Sequence, residues 1–324
     1  YTTLFRSDAH FPAAKKLGIR IVVEGSEERG GYGLEDLLAE KPELFAADTF
    51  LIADSGNDVL GEPSLCTALR GSAPVTVRLR TLEQPMHSGQ FGGAAPDALV
   101  ELVQLLSTLH DSDGLVAVPG LEPKERWGGV GPTEQAFRDN ATVTEGVELY
   151  GTGEWQPNDL TVMNPSITIT GLDALSVANS VNSVPATAAA VVSLRVPPGR
   201  NPQECQDLLV KHLESQKVNA EMEIERGPLA EAFQADTSGP ALQLLGEALS
   251  EVYSKKTMEV ASGGSIPLTN KLLAAHPEAE LALFGIEEPT CRIHSADESV
   301  DPAEIEAIAT AELLFLLRTA ENLI

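Results

Sequence analysis

Two adjacent glutamates, one aspartate and one histidine are the residues of this 324-residue chain whose types and neighbourhoods best suit metal chemistry. Glu27 and Glu28 stand in Glu24-Gly25-Ser26-Glu27-Glu28, just past a β-branched run that ends at Val23. Asp54 follows a second such run, Thr49 to Ala53, and His294 lies in Arg292-Ile293-His294-Ser295, beyond the apolar stretch Leu281 to Phe284. In open α/β sheets ligands bind outside the carboxyl ends of the strands, where these four residues would stand. Neighbouring glutamates in an irregular turn can point differently, one toward a metal and one toward a water. Imidazole with two carboxylates is a donor set for zinc, manganese or cobalt. The plainer alternatives are a solvated acidic turn and a hydrogen-bonded loop histidine.

Three further features suit an anionic substrate. His87, in the glycine-rich Met86-His87-Ser88-Gly89-Gln90-Phe91-Gly92-Gly93, is either a donor to a developing oxyanion or a loop histidine. Arg195 is a cation in the otherwise apolar Ser193-Leu194-Arg195-Val196-Pro197, able to grip a carboxylate in bidentate fashion or to face solvent from a strand. Gly263-Gly264-Ser265-Ile266-Pro267 can turn backbone N–H groups toward an anion, or be a turn and nothing more.

The elements that must position these residues follow from hydrophobic periodicity. The short runs Gly18 to Glu24 and Thr49 to Ala53 read as buried strands, with a helical segment around Leu37-Leu38 between them, so a layered α/β sheet is expected. A new rhythm starts near Gly71, where Val75, Val77 and Leu79 alternate with polar residues. It continues as a helix capped by Asp97, strands at Ile167 and at Ala188 to Val196, a helix opened by Pro202, and a last strand at Met222 and Ile224. That β-α-β-β-α-β order is the ferredoxin-like split arrangement. A helix from Pro240, the strand at Leu281 and a terminal helix from Asp301 return to the first pattern, with Ile305, Ile308, Leu313 and Leu316 expected on its buried side. The expected division is an α/β catalytic domain of residues 8–68 and 233–324, interrupted by an inserted α+β domain at 69–232. Tyr1 to Ser7 looks like a translated sequencing-library adapter and is set apart from the fold, with an upstream segment expected to be missing before Asp8.

A net charge of −26 is repelled by phosphate backbones and anionic lipid, which argues against nucleic-acid and membrane partners. No apolar run approaches a membrane span and the start lacks a secretion-signal pattern, so a soluble, cytoplasmic protein is expected. Three widely spaced cysteines with no CxxC pair read as buried free thiols.

Six motifs occur in the order found in the co-catalytic zinc metallopeptidases: the Glu24 to Gly30 stretch, Ile52-Ala53-Asp54, Met86-His87-Ser88-Gly89, Ser193 to Pro197, Gly263 to Pro267, and Ile293-His294-Ser295. The chain resembles this family of carnosinase-like dipeptidases, glutamate carboxypeptidases, aminoacylases and succinyl-diaminopimelate desuccinylase. Ala53 to Asn57 and His87 to Ala94 look most like the bacterial dipeptidases. The resemblance implies two divalent metal ions, zinc first, with manganese or cobalt as alternatives. It implies Glu27 as general base, Glu28 and His294 as ligands of one metal, and Asp54 as ligand of the other. His87 would reach across a homodimer interface made by the inserted domain, and Arg195 would hold the substrate carboxylate with Asn182, Gly264 and Ser265 nearby. The implied activity is hydrolysis of dipeptides or related amides with a free carboxylate. The alternatives are a deacylase of N-acyl amino acids and a non-catalytic peptide-binding or dimerisation module.

The chain departs from the pattern at one point. The family's His-x-Asp motif upstream of the glutamate pair is absent, and the histidine before Glu27 is His10, outside any such context. The purified 324-residue chain is therefore expected to be inactive or nearly so, and dipeptidase turnover in excess zinc would contradict this.

Overall fold

The computed structural model describes residues 17–25, 33–129, 131–264 and 266–322. Strands β1 (Thr49–Ala53), β2 (Ser64–Leu69), β3 (Gly71–Ser72), β4 (Val75–Arg80), β5 (Met86–His87), β6 (Ser166–Asp173), β7 (Ser183–Val184), β8 (Thr187–Val196), β9 (Glu221–Arg226), β10 (Phe233–Gln234), β11 (Met258–Ser262) and β12 (Glu280–Phe284) fall into two main sheets and one ribbon. The principal helices are α1 (Gly33–Glu40), α2 (Ser88–Phe91), α3 (Ala98–Ser107), α4 (Glu134–Asn140), α5 (Pro202–Ser215), α6 (Pro240–Tyr253), α7 (Pro267–Ala275) and α8 (Pro302–Asn322).

The first sheet runs β1-β12-β2-β10, with β11 also paired to β2. Alternation along β12 splits its side chains between two cores. Ala282 and Phe284 join Leu245 and Leu249 of α6 and Ile308 and Phe315 of α8, whereas Leu281 and Leu283 join Leu38 of α1 and Leu272 of α7. Helices thus cover both faces of one sheet. All six residues of β2 are buried. It carries no period-two signal for that reason, and sequence periodicity does not reveal it.

The chain leaves this sheet after Leu69 and returns to it at Phe233. Between them the antiparallel order β6-β8-β4-β9 is that of a ferredoxin-like sheet. The inward residues Val75, Val77 and Leu79 of β4 and Ala190, Val192 and Leu194 of β8 pack under Leu102 and Leu105 of α3 and Leu209 and Leu213 of α5. Asp97 caps α3 by accepting from Leu99 N and Val100 N at 2.9 and 3.1 Å, and Asn201 caps α5 by accepting from Glu204 N. His212 of α5 meets the Thr108 hydroxyl at 2.9 Å, tying the two helices together.

Two expectations change. Residues 17–24 form no strand, and Ile19, Ile21, Val22 and Val23 are exposed, Val23 by 85%. A β-branched run becomes a strand only where a neighbour completes its hydrogen-bond ladder, and among the described residues this run forms no ladder. In α8 the buried side holds Glu304, Ile308, Ala311, Phe315 and Ala320, while Ile305 is exposed and Leu313 and Leu316 are half-buried. Asp301 caps the helix through Ala303 N at 2.8 Å. Glu304 is 3% exposed and accepts from Asn57 Nδ2 at 2.8 Å, Gly61 N at 2.8 Å and the Tyr253 hydroxyl at 2.5 Å. Three elements remote in sequence therefore meet on one carboxylate. Burial and the neighbouring Glu304 push the Tyr253 phenol well above its ordinary range, so it stays protonated and donating. Cys66, Cys205 and Cys291 are buried free thiols.

Replacing Glu304 by Ala strands three donors in the interior. We expect it to lower stability by about 3 kcal/mol, read as a fall in urea midpoint at unchanged m-value; a change under about 0.5 kcal/mol would remove the network from the stabilising interactions.

Candidate functional site

β1 and β12 are parallel, with Ala53 opposite Phe284, so both strands end at the same edge of the sheet. The backbones stay joined beyond the strands. Asn57 N–H donates to Glu287 O at 2.8 Å and Glu287 N–H to Ser55 O at 3.4 Å. This approach needs glycine on both sides: a Cβ at Gly56 would lie 2.0 Å from Glu287 O, and one at Gly285 would lie 2.1 Å from Ser55 O. The segment carrying His294 is thereby anchored beside the one carrying Asp54. Asn57 also receives Ser64 N–H on its Oδ1 at 2.8 Å while its Nδ2 donates to Glu304, which fixes the loop that follows Asp54.

Asp54 and His294 are both exposed, and each interacts with neighbouring groups. His294 has φ of 61°, and Arg292 and Asp297 have φ of 60° and 62°. Left-handed backbone at non-glycine residues costs on the order of 1 kcal/mol each and is concentrated at sites where geometry is imposed. Glu27, Glu28 and Ser265 lie outside the described residues. Among the described residues no three His, Cys, Asp or Glu side chains gather in a way that could hold a metal ion. The two implied ligands that are described, an oxygen donor for one metal and a nitrogen donor for the other, suit divalent ions in type.

A second group forms where the sheets meet. Arg195 is half-buried near the end of β8, in register with Ser72 of β3 on one side and Ser166 of β6 on the other. Arg70, between β2 and β3, donates its backbone N–H to Gly264 O at 3.1 Å. Its side chain is 9% exposed and donates Nη1–H to Ser166 Oγ at 2.6 Å. Burial, and then the charge of Arg195, depress the Arg70 guanidinium to about 10. Arg70 was not among the sequence candidates, because an arginine flanked by Leu69 and Gly71 carries no motif; its burial and the charge beside it single it out. The expected outward N–H of Gly264 is instead directed to Ser262 Oγ at 3.1 Å.

A third group is the β5–β7 ribbon, where His87 pairs with Ser183 and Asn182 O accepts from Ser88 N at 3.0 Å. Gly89 leaves room for the exposed His87 ring, since a Cβ there would sit 3.0 Å from its Cε1. Asn182 is thus beside His87 and not beside Arg195. The ribbon adjoins the Thr187 end of β8 and Arg195 the other, and eight residues of strand separate them by about 27 Å.

Residues 67–221 match the family model described as a peptidase dimerisation domain. The chain is 40% identical over 304 residues to the cysteinylglycine-S-conjugate dipeptidase of Corynebacterium striatum, covering 93% of this chain and 67% of that one. It is 25% identical over 268 residues to the beta-Ala-His dipeptidase of Rattus norvegicus, covering 78% and 54%. The solved dipeptidase Dug1p from Saccharomyces cerevisiae shares the fold at a TM-score of 0.76 with 20% identity, over 92% of this chain and 65% of that chain. Human carnosine dipeptidase 1 does so at 0.75 with 21% identity, over 92% and 65%. The chain therefore spans between about half and two thirds of the proteins it resembles. With a ferredoxin-like module interrupting a helix-covered sheet, and with this identity along nearly its whole length, the chain belongs to the M20 peptidase family.

Proposed function

We propose that this chain is the greater part of a metal-dependent dipeptidase acting on dipeptides with a free carboxylate. The observation that supports it most is the glycine-sealed pairing of the β1 and β12 ends, which sets Asp54 and the His294 segment on one sheet edge. Glu28 and His294 would hold one divalent ion and Asp54 a second, with zinc the first candidate and manganese or cobalt the alternatives. A divalent ion at such a site supplies a Lewis acid and a water of lowered pKa. Glu27 takes the proton of the attacking water and passes it to the leaving amine. Arg195 orients the substrate through its carboxylate, a planar fork meeting a planar anion. His87 donates to the carbonyl oxygen as it gains charge.

The separation along β8 favours a site shared by two subunits. If His87 and Asn182 lie about 27 Å from Arg195 in one chain, a dipeptide cannot touch both unless a second copy supplies the ribbon. The match to a dimerisation domain supports this, as do the open edge of β6, with Leu172 exposed, and the exposed Val100 and Val103 on α3. Among the described residues no helix is long and apolar enough to cross a membrane.

Two experiments on a protein extended to the length of its relatives test the reading. Glu27→Gln is expected to cut kcat at least 1,000-fold while bound metal, measured by elemental analysis, is unchanged; retained turnover would remove Glu27 as the base. Mixing the inactive Glu27→Gln and His87→Ala proteins under subunit exchange is expected to restore roughly a quarter of wild-type activity, because half of the dimers mix and one of their two sites is intact. No recovery despite demonstrated exchange would place His87 in its own subunit's site.

A further inference from the structure

A cavity of about 360 Å³ lies within the inserted region, outside the residues assigned to hydrolysis. Its lining includes Leu149, Trp155, Leu160, Ile167 and Arg70. Arg70 is the one Lys or Arg among the described lining residues. We propose that this cavity binds a small carboxylic acid with an apolar body, the carboxylate meeting the Arg70 guanidinium and the body lying against Trp155 and Leu160.

Three observations carry this. First, Arg70 is 9% exposed yet has no carboxylate at ion-pair distance among the described residues; its side chain donates only to Gly263 O at 3.4 Å and Ser166 Oγ at 2.6 Å. A guanidinium has five N–H donors, so most of its capacity is unused, and a buried cation without a counter-charge is costly. Arg195 adds to that cost, since its charge opposes that of Arg70. Second, the other described lining side chains are largely apolar, with Leu149, Leu160 and Ile167 among them alongside Trp155, so an apolar ligand body would be buried there. Third, the wall is held in shape. Arg126 stacks 3.7 Å over the Trp155 ring and pairs at 2.9 Å with Asp159, a 4% exposed carboxylate that also accepts from Trp127 N and Gln156 N. One planar arginine cation and one carboxylate, Glu134, among the described lining residues fit a monoanionic carboxylate better than a doubly charged phosphate.

The test is titration of the 324-residue chain with 4-phenylbutyrate and with 4-phenylbutanol, followed by fluorescence of its two tryptophans, Trp127 and Trp155, and by calorimetry. The acid is expected to bind saturably and at least tenfold more tightly than the alcohol. Arg70→Met should remove that preference while leaving the alcohol's affinity within twofold. Should Arg70→Met fail to fold, Leu160→Trp, which fills the cavity and keeps Arg70, should abolish binding of both compounds in a protein of unchanged circular dichroism. Arg195→Gln should leave acid binding within twofold, which separates this cavity from the substrate-carboxylate grip. Equal affinity for acid and alcohol, absence of saturable binding, or loss of the acid's preference in Arg195→Gln with Arg70→Met unaffected would each overturn the proposal. None of these readouts depends on hydrolysis, so the dipeptidase reading stands or falls separately.

Discussion

The organisation of this protein depends on one close approach between backbones: Gly56 against Glu287 and Gly285 against Ser55. Parallel pairing of β1 and β12 brings their carboxyl ends level, but strand pairing alone would let the following loops diverge. Two glycines allow the chains to remain in hydrogen-bonding contact for three residues more, and any side chain at either place would push them apart. Asp54 and the His294 segment, 240 residues apart in the chain, owe their shared edge to that contact.

A carboxylate on the far helix supports it. Glu304 collects donors from Asn57, Gly61 and Tyr253, so α8, α6 and the loop after Asp54 are held by one buried acceptor. Such a network has a stringent physical condition. Fully satisfied it fixes a single arrangement, and with one member missing it leaves costly unpaired groups in the interior. The left-handed backbone at Arg292, His294 and Asp297 is tolerated where the segment is anchored at its start by the same β1–β12 contact and at its end by the Asp301 cap.

The inserted module answers a different demand. Its sheet is antiparallel and covered by α3 and α5 on one side, leaving β6 as an edge and the His87 ribbon projecting from one end. The length of β8 separates that ribbon from Arg195, so the two do not converge within one chain. Arg70 stands at the joint between the two sheets, a buried cation whose neighbour in charge is Arg195.

Sequence by itself determined the alternation of elements, the helix starts at Asp97, Pro202 and Asp301, the β-α-β-β-α-β order of the insertion, and the motifs around Asp54, His87, Arg195 and His294. These are local: periodicity and capping are set by residues three or four positions apart. What only tertiary structure decided was non-local. Glu304 reads as the third residue of a capping box but serves Asn57 and Tyr253 instead, because the loop from Asp54 packs over the start of α8. The run at Ile19 to Val23 has strand chemistry, yet without a paired neighbour among the described residues it forms no ladder. β2, buried on both faces, has no alternation to read. Asn182 and Arg195 are thirteen positions apart in sequence, but an extended strand converts that short interval into nearly its full contour length, whereas Ala53 and Phe284, 231 positions apart, end level with each other.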